Sequence, residues 1–171
     1  MTTYAMDKLD AETVKLNFLP EDLSPSAIWG RMMLHIRETE RQRKGNNEFK
    51  KFAIRIELSP SKEETEGWTM ADWQQLVDEF INEFDSLDMT PYHGRPKDAH
   101  TNLAHSQYVA SLHVDSESGI PHLHIVVNRV DMDGHVNNDH KIRERGWMAA
   151  DIINQRRRWK LPKCLIISGF C

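Results

Sequence analysis

Cysteine is nearly absent. Of 171 residues only two are Cys, Cys164 and Cys171, both within the last eight. That excludes a disulfide framework for the body of the protein and makes a reducing compartment the default. Long apolar runs are missing too. None approaches the roughly 20 residues that a membrane-spanning helix requires. The first residues, MTTYAMDKLD, lack a basic stretch followed by an apolar one, so no secretory leader is expected. These absences lead to the expectation of a cytoplasmic chain with no membrane partner. Excess positive charge is also lacking: the net charge is −4, which excludes a polycation that coats DNA. What is there, 39% hydrophobic and 28% charged residues, is a globular mix of single-domain length.

The charges are unevenly spread. Arg41, Arg43, Lys44, Lys50 and Lys51 crowd RQRKGNNEFKK, and Arg156, Arg157 and Arg158 stand in a row, while acidic residues gather in 63–88. Such a dipolar chain can hold a polyanion on one face, and these cations are its candidate phosphate contacts. Solvated helix faces are the equal alternative.

Ser24-Pro25 is a helix start, with Ser as cap and Pro in the first turn. Ile28, Trp29, Met32, Met33 and Ile36 follow at helical spacing, and the helix is expected to run to about Arg43. Residues 51–59 (KFAIRIELS) alternate strictly, as a half-buried strand does. Thr69, with Asp72 three residues on, starts a second helix. Its apolar stripe is Trp73, Leu76, Val77, Phe80, Ile81, Phe84 and Leu87. Residues 90–104 read as a loop. Residues 107–114 and 122–130 alternate and form an antiparallel hairpin. A last helix is expected over about 145–159. The fold class is α+β: an antiparallel sheet with helices packed on one face.

Strand parity carries the chemistry. If Leu123, Ile125 and Val127 face the helices, then His122, His124, Val126 and Asn128 face the other way. The same rule turns Tyr108 toward the core and His113 outward, and puts Arg55 and Glu57 on the outer face of their strand. His122 and His124 then lie about 7 Å apart on one face, close enough for imidazole arms to meet on one cation. His113 across the hairpin completes a three-nitrogen site with open positions, the form of a catalytic centre. Glu57 is placed to orient a His or take a proton. Asp115 is either a second orienting group or a simple turn residue. Nitrogen-only ligation favours Zn²⁺, Ni²⁺ or Mn²⁺ over Ca²⁺.

The segment HVDSESGIPHLHIVVNRVDMDG, residues 113–134, resembles the metal-binding motif of plasmid and transposon relaxases. These are mobilization nucleases of the HUH class (MobA/MobP-type), and the Bacteroides-type mobilization proteins are the most similar. The pattern is a His, an Asp two residues on, then His-x-His followed by Asn-Arg, Val-Asp and a Gly turn. The strand KFAIRIELSPS and the helix after it also sit where this family has a strand and a helix. The resemblance covers residues 1–159, expected to be one relaxase-like nuclease domain, and leaves 160–171 as an unassigned tail.

The resemblance implies a relaxase that nicks single-stranded DNA at an origin of transfer through a tyrosine 5′-phosphodiester. It implies Mn²⁺ or Mg²⁺ as the working ion and accessory relaxosome proteins as partners. It points to Tyr4, in YAMDK, as the nucleophile, and Asn128, on the metal-bearing face by parity, is a candidate DNA contact. The family has a strand before this tyrosine where the chain has only MTT, so the domain is expected to be incomplete at its N-terminus and trimmed at its far end. The alternative is a shortened, non-catalytic remnant that still binds metal and single-stranded DNA. A weaker third reading is an unrelated metal hydrolase using water.

Overall fold

The computed structural model describes residues 11–43, 48–93, 100–114 and 119–159, and the backbone of 164–170. Five strands form one antiparallel sheet among these residues: β1 (Glu12–Asn17), β2 (Ala53–Ser59), β3 (Ser106–His113), β4 (His122–Asp131) and β5 (Cys164–Phe170). Their order across the sheet is β1-β3-β4-β2-β5. Three helices of four turns or more accompany them: α1 (Pro25–Gln42), α2 (Met70–Ser86) and α3 (Ile142–Arg157). The α+β class with an antiparallel sheet agrees with the sequence reading.

Each helix begins or ends for a local reason. Ser24 Oγ accepts the Ala27 N–H at 3.4 Å, and Pro25 occupies the first turn of α1. The Asp72 carboxylate accepts the Thr69 N–H at 2.7 Å and starts α2. The far end of α2 is closed by a group from another element. Arg145 of α3, 2% exposed, donates to the Phe84 and Leu87 carbonyls at 2.8 and 2.9 Å. Those terminal carbonyls have no partner within their own helix. Burial draws the Arg145 guanidinium below its usual pKa, against the pull of Asp85 and Asp88.

Helices α2 and α3 cover one face of the sheet. Trp73, Val77, Phe80 and Phe84 of α2 and Ala149 and Ile153 of α3 pack against Ile54, Ile56, Tyr108, Leu123, Ile125 and Val127. The parity that turned Leu123, Ile125 and Val127 inward is therefore the observed one. The opposite face is not bare. Ile28 and Met32 of α1 pack on Ala53, Val109 and Val126, so α1 roofs the half of that face away from the hairpin turn.

Two strands depart from the expectation. The sequence pattern announces no strand at β1. Its alternation is interrupted by a register shift between Thr13 and Lys15 against β3, and such a bulge breaks the period of two. The tail read as unassigned contains β5, which pairs antiparallel to β2 from Ala53↔Phe170 to Ser59↔Cys164.

Candidate metal centre

The pairing of β3 with β4 places His113 opposite His122 and Ser111 opposite His124. β2 lies on the other side of β4, with Glu57 opposite His124 and Arg55 opposite Val126. All these side chains but Val126 are polar, and alternation puts them on the face away from α2 and α3. The His113 and His124 rings are 4.4 Å apart between centroids, those of His122 and His124 4.9 Å, and those of His113 and His122 5.5 Å. One ligand nitrogen from each of the three lies within 4.8 Å of the others. His113 and His124 are buried, at 0% and 4% exposure, and His122 is half-buried.

The donor set fits a divalent cation. Three neutral imidazoles supply nitrogen lone pairs without adding charge. His122 Nδ1 lies 3.2 Å from the Ile120 carbonyl, which can only accept, so this contact puts the proton on Nδ1 and leaves Nε2 to ligate. Glu57 Oε2 stands 3.8 Å from His124 Nδ1, where a carboxylate can orient a ligating ring. Arg55 Nη2 lies 3.1 Å from the same nitrogen, a contact that strand parity alone does not reveal.

A second group, Asp131, Asp133 and His135, also brings carboxylate and imidazole atoms together. Its buried member is already committed. Asp131 Oδ1 accepts the Asp133 and His135 N–H groups at 3.0 and 2.8 Å, and Oδ2 accepts Asn102 Nδ2 at 3.0 Å. Asp131 thus locks the turn through Gly134, whose φ of +85° suits glycine. The Thr39 methyl lies 3.4 Å from where a Cβ at Gly134 would sit.

The remaining candidates fall in different places. Asn128 has the expected parity but is 0% exposed. Its amide donates to the Met32 carbonyl at 3.0 Å and to Gln107 Oε1 at 3.1 Å, and its oxygen accepts the Val130 N–H at 3.1 Å. These bonds fasten α1 to the sheet and occupy both ends of its amide. Tyr108 is 2% exposed on the helical side, and burial raises its hydroxyl pKa, against the pull of Lys15. Tyr4, Lys44 and Asp115 lie outside the described residues.

The basic residues fall into two groups on different elements. Arg41, Arg43 and Lys50 are exposed near the end of α1 and the start of β2. Lys50 is seven residues from Glu57, about 23 Å along an extended chain. Lys51 pairs with Asp139 at 2.5 Å. Arg156 and Arg157, by contrast, belong to the helical side. They donate to Glu83 and Glu79 of α2 at 2.7 and 2.8 Å, and Arg157 also lies over the Trp68 and Trp159 rings. Arg158 ends α3 in a left-handed conformation, φ +57°, with its side chain exposed.

Comparison with known proteins adds one match. Residues 99–159 fit the family model described as "Relaxase: MobA/VirD2-like, nuclease domain". The matched segment contains β3, β4 and α3, and with them all three histidines. No curated protein and no solved structure matches the chain.

Proposed function

We propose that this chain, related to the relaxases through residues 99–159, is a metal-dependent DNA strand transferase that nicks single-stranded DNA at a transfer origin. The observation that supports it most is the convergence of His113, His122 and His124, from two adjacent strands, inside the segment that fits the relaxase nuclease model. His113, His122 and His124 would hold a divalent ion, Mn²⁺ or Mg²⁺ by family analogy and Zn²⁺ or Ni²⁺ by ligand chemistry, which would neutralise the nonbridging oxygens of a phosphodiester and help orient it.

The chain's own groups supply the rest. His122 is held by the Ile120 carbonyl, which sets its Nε2 for ligation before substrate arrives, and His124 has Glu57 and Arg55 of β2 beside its Nδ1. The Tyr4 hydroxyl attacks phosphorus and displaces the 3′ oxygen. The products are a 5′-phosphotyrosine and a free 3′-OH, and reversal reseals the strand because the ester is retained. Arg41, Arg43 and Lys50 hold DNA phosphates beyond the α1 end of the sheet. Accessory mobilization proteins deliver the transfer origin, and the reaction takes place in the cytoplasm. No helix among the described residues is long and apolar enough to cross a membrane.

The test is a labelled single-stranded oligonucleotide carrying a cognate transfer origin, incubated with Mn²⁺ and resolved on a denaturing gel. The proposal expects a covalent protein–DNA band that Tyr4→Phe abolishes while metal and DNA affinity persist. An adduct that survives Tyr4→Phe moves the nucleophile to another tyrosine. Binding of metal and DNA with no adduct favours the non-catalytic remnant, and cleavage with no adduct favours the water-using hydrolase.

A further inference from the structure

His124 Nδ1 has two neighbours on β2 that make opposite demands. Arg55 Nη2 is 3.1 Å away and Glu57 Oε2 is 3.8 Å away, and those two groups are 3.6 Å from each other. A guanidinium has only N–H donors and keeps its proton at any working pH. Facing Arg55 at hydrogen-bond distance, Nδ1 must therefore accept, and a neutral His124 ring carries its proton on Nε2. Ligation through Nε2 reverses this. The proton then sits on Nδ1, which becomes a donor and requires an acceptor. Glu57 is an acceptor and Arg55 is not. Ligation through Nδ1 would evict Arg55 directly, with the same consequence for the guanidinium.

We propose that metal loading exchanges the His124 Nδ1 partner from Arg55 to Glu57 and turns the Arg55 guanidinium onto a phosphate oxygen of the bound DNA. Arg55 then couples the two ligands. This rests on the metal-centre reading above. Charge acts in the same direction as the proton. A fixed cation beside the three imidazoles opposes a second cation there until a phosphate arrives between them. The Arg55 side chain is 29% exposed, so part of it already faces solvent. Linkage makes the coupling reciprocal: DNA raises metal affinity by the factor by which metal raises DNA affinity.

The experiment uses the full chain, Zn²⁺ as the metal and a fluorescent oligo(dT) as the DNA. Calorimetry gives the Zn²⁺ affinity without DNA, and anisotropy gives DNA affinity with and without Zn²⁺. Arg55→Met, which removes the donor and the charge, is expected to bind Zn²⁺ about five-fold tighter or more and to lose the Zn²⁺-dependent gain in DNA affinity. A side chain that only supports the strand gives no such pair of opposite signs. Unchanged or weaker Zn²⁺ binding overturns the inference, as does a gain in DNA affinity that survives the substitution. The unsubstituted chain provides a check that does not depend on the variant folding. Nitrogen-15 spectra of the metal-free protein should show the His124 proton on Nε2, and a proton on Nδ1 overturns the inference. A wild-type chain with no Zn²⁺ site overturns the metal-centre reading itself, whereas a wild-type site that Arg55→Met leaves untouched overturns only the coupling.

Discussion

Asn128 of β4 donates its side-chain amide to the Met32 carbonyl of α1 at 3.0 Å. The strand that carries two of the three histidines is thereby tied to the helix that roofs the same face. One turn further along α1, His35 Nε2 lies 2.7 Å from the Asp131 carbonyl at the end of that strand, so α1 follows β4 and is held to it at two points. Asn128→Ala strands the Gln107 oxygen and the Val130 N–H in a buried site. It is expected to cost about 1–3 kcal/mol, seen as a lower Tm and an earlier urea midpoint. A substitution that leaves stability unchanged and weakens DNA binding instead would return Asn128 to the DNA interface.

Glu57 is paired across the strand with His124. Glu57→Gln keeps the shape and removes the charge that orients the ring. Metal affinity measured by calorimetry is expected to fall about 10–100-fold, with DNA affinity in the absence of metal unchanged. Equal metal affinity in the two proteins would make Glu57 an ordinary strand residue.

The two basic clusters should behave differently toward salt. Reversing Arg41, Arg43 and Lys50 together is expected to lower the slope of log affinity against log salt by about two units or more. Reversing Arg156 should leave the slope alone, because its guanidinium pairs with Glu83 on the helical side. A slope that responds to Arg156 and not to the first three would move the DNA path to the other face.

Asp139 gives the fold an acid-sensitive tie. Its burial disfavours the charged form, but the Lys51 hydrogen bond and the Arg129 charge outweigh that and hold its carboxyl below the usual range. A carboxyl lowered in this way stabilises the fold above its unfolded pKa of about 3.9. That contribution is lost as pH falls through the folded value. Urea midpoints should therefore decline with acid below about pH 4, and Asp139→Asn should make that decline shallower. Parallel profiles for the two proteins would show that the tie contributes nothing.

The elements most legible in the sequence were those with an unbroken period. KFAIRIELS and HLHI alternate cleanly, and the stripe from Trp73 to Phe84 keeps helical spacing, so the sheet face carrying the histidines follows from parity. β1 escaped because its bulge interrupts the alternation at Val14. β5 escaped because LII is a short continuous apolar run, which periodicity cannot assign. Asn128 shows the limit most plainly. Parity gives the side of the sheet, but whether a helix lies above that side is a long-range fact, set by Ile28 and Met32 some 100 residues away. The pairing of Arg156 and Arg157 with Glu83 and Glu79 is likewise a contact between helices that no local pattern announces.

The central claim is that three imidazoles from β3 and β4 hold one divalent ion. X-ray absorption at the zinc edge, on the chain loaded with one equivalent of Zn²⁺, tests it most directly. Three imidazole nitrogens are expected at about 2.0–2.1 Å, falling to two in His124→Ala. Sulfur in the coordination shell, fewer than three imidazoles in the unsubstituted chain, or a shell unchanged by His124→Ala would contradict it.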